Sequence, residues 1–438
     1  MRPYHPELLA VPVPRYTSYP TAAEFQDGIG GAEMEAALAA IGEEDRLSLY
    51  LHIPYCHEIC WYCGCNTGAA NRAHRLTAYL DALEAELDLV ADRLGGRGRV
   101  QRIAFGGGSP NAIEPEAFLR LVDRLGSAFA AEGAELSVEL DPRSLTPAWM
   151  QAMAAAGVTR ASLGVQTLAP HVQEAIGRIQ PASMVAAAVE GLVAAGVTSL
   201  NFDLMYGLPH QSLADLEDTL RQAVAMRPDR VALFGYAHVP HLIPRQRRID
   251  GSALPDAAMR FEQAELGHRF LVDAGYRPVG FDHFARPDDP LAIAHRDRTL
   301  RRNFQGFTDD PAEILLGFGA SAISSFPDRI LQNEKNAGRY RMLVTAGRLT
   351  PVRGVLRSAA DRVRARIVES ILCHGEADLA PLGTDLPPGL ARFLEAGLVE
   401  RDGDRLRLTA DAVPYARVIA ATFDTYRQPQ AERFSSAI

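Results

Sequence analysis

Four of the chain's five cysteines fall in one ten-residue stretch, Cys56-x3-Cys60-x2-Cys63-x-Cys65, directly behind the apolar run Leu49-Tyr50-Leu51-His52-Ile53-Pro54. Thiolates packed this closely suit a soft metal centre, because structural disulfides are rare in reducing compartments and would be spread along the chain. A structural zinc site usually pairs two Cys-x2-Cys knuckles from separate loops around one tetrahedral ion. Here there is one loop and no second knuckle. The fifth cysteine, Cys373, belongs to no motif and reads as a core residue.

Further candidates for chemistry stand behind other apolar runs. Gly106-Gly107-Gly108-Ser109-Pro110 follows one of them, and glycines there let backbone groups approach a ligand because no Cβ intervenes. Alone, such a run is more often just a tight turn. Glu139, in Ser137-Val138-Glu139-Leu140-Asp141-Pro142-Arg143, either faces a ligand or pairs as a buried carboxylate with Arg143. Gln166, Arg178 and Asp203 follow the same logic in later units. A carboxylate such as Asp203 can accept ribose hydroxyls, and a guanidinium such as Arg178 can fork onto a carboxylate.

These groups need a scaffold. Residues 47–53, 100–105, 135–140, 159–165, 198–205 and 230–237 read as strands. Helical stretches lie between them, the clearest with Leu76, Leu80, Leu83, Leu87, Val90 and Leu94 at steps of four and three, stopped by Gly95-Gly96. Six such units predict a parallel α/β sheet with functional groups gathered at the strands' carboxyl ends. Several strands alternate: Tyr50 and His52 oppose Leu49, Leu51 and Ile53, Ser137 and Glu139 oppose Leu136 and Val138, and Asn201 and Asp203 oppose Phe202 and Leu204. A closed eight-stranded barrel fills its interior with Val, Ile and Leu, whereas this pattern gives a polar inner face. The expected fold is α/β, an open (β/α)6 partial barrel with room for a bulky cofactor, followed by a mainly helical C-terminal domain. Near the end, Asp402-Gly403-Asp404 between two short apolar-polar runs predicts a hairpin in a winged-helix-like shape. The expected division is an N-terminal arm over the active site (1–45), the core (46–245), a sheet extension with substrate-site loops (246–335) and the C-terminal domain (336–438).

Cysteines spaced three and two apart resemble the cluster loop of the radical S-adenosylmethionine (SAM) enzymes, in which three thiolates hold a 4Fe-4S cluster whose fourth iron takes the amino and carboxylate groups of SAM. The resemblance implies that Cys56, Cys60 and Cys63 bind the metal and that the glycine run contacts SAM. Pro14-Arg15-Tyr16-Thr17-Ser18-Tyr19-Pro20-Thr21-Ala22 resembles the opening of the oxygen-independent coproporphyrinogen III dehydrogenases, the anaerobic coproporphyrinogen III oxidases of haem biosynthesis. So do Cys63-Gly64-Cys65-Asn66, Asp203-Leu204-Met205-Tyr206-Gly207-Leu208-Pro209, Tyr236-Ala237-His238 and Asp282-His283-Phe284-Ala285. Arg302-Asn303-Phe304-Gln305-Gly306-Phe307-Thr308, Ser321-Ala322-Ile323-Ser324 and Phe423-Asp424-Thr425-Tyr426 extend the likeness over nearly the whole chain.

In that family two SAM molecules sit side by side. On matching positions the cluster-bound one would meet Tyr50, Gly107, Glu139 and Ile323, and the second Tyr62, Gly108, Ser109, Gln166, Arg178, Asp203 and Ala237. Cys65 matches a fourth, non-ligating cysteine close to the second SAM, and Gln305 would lie near the site; with Glu139 these are the implied catalytic residues. The chain departs from the pattern in two places. Thr167-Leu168 replaces the usual Asp-Phe after Gly-Val-Gln, and Gly177 replaces an Asn before the arginine, a change expected to loosen the backbone that aims Arg178.

The implied activity is that of an oxidoreductase that decarboxylates two propionates of coproporphyrinogen III to vinyl groups, giving protoporphyrinogen IX. An electron donor such as a flavodoxin or ferredoxin is implied, with the final electron acceptor left open by the sequence. Two rivals share the cysteine triplet: a haem chaperone, which typically lacks the Pro-Arg-Tyr-Thr-Ser-Tyr-Pro opening and the equivalent of Cys65, and a radical-SAM paralogue acting on haem. The composition agrees with a small-molecule enzyme. Its 47% hydrophobic and 23% charged residues are those of an ordinary globular protein, and a net charge of -9 offers no field for nucleic acid or an anionic membrane. The first residues carry no apolar signal-peptide core, and the uncharged stretch 314–327 is too short to span a bilayer, so a cytoplasmic monomer is expected.

Overall fold

The computed structural model describes residues 2–70, 72–383 and 386–427. Six parallel strands form its centre: β1 (Arg46–Ile53), β2 (Arg99–Gly107), β3 (Glu135–Leu140), β4 (Arg160–Gln166), β5 (Ser199–Tyr206) and β6 (Arg230–Gly235). They lie side by side in chain order. Each is joined to the next through helices, the principal ones being α1 (Ala73–Leu94), α2 (Pro115–Phe129), α3 (Pro147–Ala156), α4 (Ala182–Ala194) and α5 (Leu213–Ala225). All six expected strands are present, and the leucine periodicity of α1 buries Leu80, Leu83, Leu87, Val90 and Leu94 before Gly95 turns the chain out at φ 58°. A further helix, α6 (Ala257–Asp273), packs against α5.

The alternation within the strands separates two environments. Leu47, Leu49, Leu51 and Ile53 with Leu136, Val138, Phe202 and Leu204 join the main apolar core beneath the helices. Ser48, Ser137, Glu139, Ser162, Asn201 and Asp203 line one open cavity. The sheet remains open. Beyond β6 it gains the antiparallel pair β7 (Arg277–Val279) and β8 (His283–Ala285). Two further strands, β9 (Arg301–Asn303) and β10 (Gly306–Thr308), form a separate hairpin. Beyond β1 the sheet gains β11 (Ile314–Phe318), parallel to β1, and then the antiparallel β12 (Ile323–Ser325), β13 (Arg329–Asn333) and β14 (Pro351–Leu356). The sheet thus runs on to Leu356, and the division expected at 335/336 falls inside it.

At the strands' amino ends the cavity is floored by charge. Arg102 and Arg160 each hold Asp309 through both carboxylate oxygens, at 2.6–3.0 Å, and both also meet Glu135. Burial would raise the Asp309 pKa, but these hydrogen bonds hold it well below the usual carboxylate range. Functional space is thereby left only toward the carboxyl ends.

After β14 the chain enters a second apolar core built on α7 (Ala359–His374), whose Ser358–Asp361 capping box fixes its start. A three-stranded sheet of Glu376–Asp378, Val399–Asp402 and Arg405–Leu408 contains the expected hairpin, with Gly403 at φ 58°. The first part of the N-terminal arm belongs to this unit, with Leu8, Leu9, Val13, Tyr16 and Tyr19 in its core, whereas Met34, Ala37, Leu38 and Ile41 join the main core. The Tyr16 hydroxyl donates to Asp424 at 2.9 Å, and the Tyr19 hydroxyl lies 3.1 Å from Thr425 Oγ1.

One buried carboxylate ties the β11–β14 edge to the core. Glu86 on α1 accepts from Gly319 N and Tyr340 Oη at 2.7 Å, from Asn333 Nδ2 at 3.0 Å and from the Thr350 hydroxyl. Nearby, the Tyr79 hydroxyl donates to His52 O at 2.7 Å and accepts from Ala320 N at 3.0 Å. Glu86→Leu would leave three buried donors without an acceptor, Asn333 Nδ2 keeping Gly317 O and Gly319 O, so urea denaturation should show a loss of about 3 kcal/mol or more, with Glu86→Gln between the two.

Candidate active site

The cysteine loop leaves β1 through Pro54 and is pinned at its base. A two-residue strand, Tyr55–Cys56, pairs with Gly68–Ala69, and Tyr55 O accepts from Ser109 N at 2.8 Å. The glycine run is shaped for this docking. Gly107 has φ 113° and a Cβ there would lie 2.6 Å from the His52 ring, while a Cβ on Gly108 would lie 2.6 Å from Tyr55 O. The expectation that these glycines admit a ligand is therefore incomplete, because their immediate neighbours are the cysteine loop and β1. Ser109 is buried, with its hydroxyl on Asn111.

Each of three sulfurs has a donor aimed at it. Thr67 Oγ1 donates to Cys56 at 3.2 Å, Cys65 N to Cys63 at 3.4 Å, and both Arg143 Nη2 and Arg178 Nη1 to Cys60 at 3.3 Å. Burial pushes the Cys56 thiol up to about 11, and a hydrogen bond from the Cys65 side chain draws Cys63 down to about 6. Cys65 is exposed and serves as a donor to Cys63. Among the described residues no three His, Cys, Asp or Glu side chains converge as a single ion would need. The thiols of Cys56, Cys60 and Cys63 nonetheless feel one another's charge. Such a set fits a polynuclear iron–sulfur cluster, whose thiolates bind separate irons and whose properties are tuned by hydrogen bonds to sulfur.

The carboxylates divide the work between them. Arg143 pairs with Asp141 at 2.7 Å and with Glu58 at 2.8 Å. Glu139 is left facing the cavity, where Oε2 accepts from Gly107 N at 3.2 Å. Glu139 is open to the cavity, and the protein packed around it, reinforced by the charge of Asp203, pushes its pKa up to about 7. Asp203 accepts from Asn201 Nδ2 at 2.9 Å and Ser162 Oγ at 3.2 Å, and Gln305, exposed on the β9–β10 turn, lines the same cavity. On β1 the Tyr50 hydroxyl lies 3.1 Å from His52 Nδ1. The Ile323 backbone packs on Gly317, which is level with Tyr50 across the β1–β11 pair. Gln246 Nε2 joins Tyr62 O and Ala237 O at 2.9 and 3.0 Å, holding the loop against the end of β6.

Arg178 is buried and fully engaged. It forks onto Asp141 at 3.2 Å through both Nη atoms and also reaches Gly164 O, Gln180 Oε1 and Cys60. Gln166, at φ 65° after a bulge in β4, stands beside it. Gly177, beside this clamp, sits at φ 64° with a would-be Cβ 2.6 Å from the Trp61 ring, and Trp61 N donates to Ile176 O at 3.0 Å. An indole fills the space that an asparagine side chain would need. Thr167 is likewise buried and satisfied, its hydroxyl 3.3 Å from that of Thr219.

Sequence reasoning missed His52 and Asp141 as site residues. His52 forms the wall behind Gly107, and burial pushes its pKa down to about 4, so it is a neutral ring there. The only signal for it was its shared face with Tyr50.

Comparison with known proteins agrees with this arrangement. A family model described as Radical SAM superfamily matches residues 50–223. The chain is similar to the oxygen-independent coproporphyrinogen III oxidase of Bradyrhizobium diazoefficiens, 44% identical with 97% of each chain covered. It is similar to that of Escherichia coli K12, 37% identical over 97% of this chain and 96% of the relative. A solved Escherichia coli coproporphyrinogen III oxidase, described as a radical SAM enzyme, superposes with a TM-score of 0.90 at 35% identity, covering 97% of this chain and 100% of the other. At that identity over nearly full length, the chain belongs to the oxygen-independent coproporphyrinogen III oxidases, a family of the radical SAM superfamily.

Proposed function

We propose that the protein oxidatively decarboxylates two propionate side chains of coproporphyrinogen III to vinyl groups, yielding protoporphyrinogen IX in anaerobic haem biosynthesis. The observation that carries the reading is the convergence on one cavity: Glu139, Asp203 and Gln305 line it, Glu139 accepts from Gly107 N, and the loop of donor-supported cysteines is seated on the adjoining Gly108 and Ser109. Each propionate loses a β-hydrogen, CO2 and one electron. When bound, a 4Fe-4S cluster with SAM supplies the radical chemistry that removes the hydrogen.

The protein's own groups bind, orient and exclude. Cys56, Cys60 and Cys63 would hold the cluster, with Arg143 and Arg178 both donating to the Cys60 sulfur. Tyr50, Gly107, Glu139 and Ile323 would meet the cluster-bound SAM. A second SAM would meet Tyr62, Gly108, Ser109, Gln166, Asp203 and Ala237, and Arg178 would reach it by exchanging part of its hold on Asp141. Glu139 is placed to face a cation, since its charge is opposed by the protein packed around it and by Asp203 and only a positive ligand relieves both. Cys65 and Gln305 would act near the second SAM and the substrate. The electron comes from a small carrier such as a flavodoxin or ferredoxin, and the chain works as a monomer. No described helix is long and apolar enough to cross a membrane.

Anoxic reconstitution followed by iron and sulfide analysis should show Cys56→Ser, Cys60→Ser and Cys63→Ser losing the cluster while Cys65→Ser retains it. An equal loss at Cys65 would overturn the ligand assignment. Reduced enzyme incubated without oxygen with coproporphyrinogen III, SAM and an artificial acceptor should accumulate the three-carboxylate intermediate and then protoporphyrin, with 5'-deoxyadenosine formed in step. Stoichiometric haem binding without SAM cleavage would instead identify a chaperone, and cleavage driven by haem alone a paralogue. Because the Glu139 pKa is raised to about 7, its charge is lost as pH falls through that value. SAM affinity measured by equilibrium dialysis should therefore weaken from pH 8 to pH 6, and Glu139→Gln should bind about tenfold more weakly, ~1.4 kcal/mol, with no such slope.

A further inference from the structure

The turn that carries Arg178 touches the cysteine loop at three successive residues. Ile176 O accepts from Trp61 N at 3.0 Å, the Gly177 backbone lies against the Trp61 ring, and Arg178 Nη1 donates to the Cys60 sulfur at 3.3 Å. Trp61 makes two of these three contacts, and it stands in the chain directly after Cys60 and two residues before Cys63.

Both partners are braced from behind. Gly177 N donates to Glu174 O at 3.2 Å and Arg178 N to Gln173 O at 2.9 Å. The buried Gln173 side chain then donates to Thr167 O and Gln180 O at 2.8 Å each and accepts from Gln180 N at 3.0 Å, so the turn is fixed by its own hydrogen bonds. On the loop, Gln246 holds Tyr62 O, and the Arg248 guanidinium lies 4.6 Å from the Trp61 ring centroid. The half-buried indole packs on an apolar cluster that includes Ala169, Val172, Ile176 and Leu208.

The fit between them depends on size. A Cβ at residue 177 would lie 2.6 Å from Trp61 Cε2, 2.7 Å from Nε1 and 2.8 Å from Cδ2. The backbone alone does not impose glycine, since φ 64° lies in the left-handed region that asparagine also adopts. What excludes a side chain is the ring, and close-packed atoms accommodate such an overlap only by moving. A shift of the ring moves Cys60 through the backbone. A shift of the turn moves Arg178, which reaches the Cys60 sulfur and forks onto Asp141.

We infer that Trp61 is a positioning residue for the reaction: its indole, matched in size to Gly177, fixes the Cys60 thiol relative to the Arg178 guanidinium and so sets the seats of the cluster and of the second SAM. The inference rests on the function proposed above. The ring acts through its two neighbours, and a binding group misplaced by about 1 Å can cost about a hundredfold in rate. The pair also carries a joint signature, because residue 177 has room for asparagine only where residue 61 is smaller than tryptophan.

The test uses the full-length protein, reconstituted without oxygen, as wild type, Trp61→Phe, Trp61→Ala, Gly177→Asn and the double variant Trp61→Ala with Gly177→Asn. SAM affinity is read by equilibrium dialysis, the reduced cluster by its electron paramagnetic resonance spectrum with and without SAM, and folding by urea denaturation. Trp61→Phe, which keeps a ring, should retain SAM affinity within about threefold. Gly177→Asn and Trp61→Ala should each weaken SAM binding about tenfold or more and alter the cluster spectrum. In the double variant the asparagine should add less than about twofold to the loss seen in Trp61→Ala, because the ring it would meet is gone. Losses that simply multiply, or a folded Trp61→Ala protein that binds SAM and shows the cluster spectrum of the wild type, would overturn the inference. Trp61→Leu serves for the same comparison should Trp61→Ala fail to fold. A wild type that loads the cluster and leaves coproporphyrinogen III untouched would remove the function proposed above, whereas SAM affinity and the cluster spectrum still decide the role of Trp61.

Discussion

Asp141 is the point where the site and the fold are joined. Its carboxylate receives Arg143 and Arg178 together, and both guanidiniums also reach the Cys60 sulfur. The two guanidiniums share this one buried carboxylate, with Arg143 also reaching Glu58, and the Cys60 sulfur lies against both. Removing one partner from such an arrangement typically costs about 3–5 kcal/mol, since the remaining charge stays buried and unpaired. The arrangement requires the end of β3, the turn after β4 and the cysteine loop to meet at one place, so the sheet order and the site geometry depend on the same contact.

From that point the construction proceeds outward along the carboxyl ends of the parallel strands. The glycine run lies close enough to Tyr55 and His52 that side chains there would collide, which keeps the cysteine loop seated on β1 and β2. The charged floor of Arg102, Arg160, Glu135 and Asp309 closes the opposite end. Between floor and loop the polar strand faces form an open cavity, and its walls are completed by segments that arrive late in the chain, including the β9–β10 hairpin with Gln305. The N-terminal arm is held near the cavity by Tyr16 and Tyr19 at Asp424 and Thr425 and by Arg302, which donates to Tyr16 O and Arg15 O.

Much of this was legible in the residues alone. Strand alternation with a period of two and the leucine spacing of α1 are local properties, and the structure reproduces them within a few residues. The division of Glu139 from Asp141 was not legible. Both lie close to Arg143 in sequence, but β3 ends at Leu140 and Asp141 caps the following turn, so only Asp141 turns back toward the arginines. Likewise Gly177 read as a loosened position, because nothing near it in sequence says that Trp61 occupies the space beside it.

By itself the sequence determined the kind of chemistry: thiol spacing within one loop, the polar faces of the strands and the motif segments are fixed by covalent order and side-chain type. The tertiary structure alone decided which groups share charge. Register places His52 behind Gly107, and the sheet brings Arg178 onto Asp141 and Cys60. Docking of the arm on the C-terminal unit brings Arg15 and Arg417 to one pocket. Electrostatic energy depends on distance and burial, and these exist only once remote segments have packed.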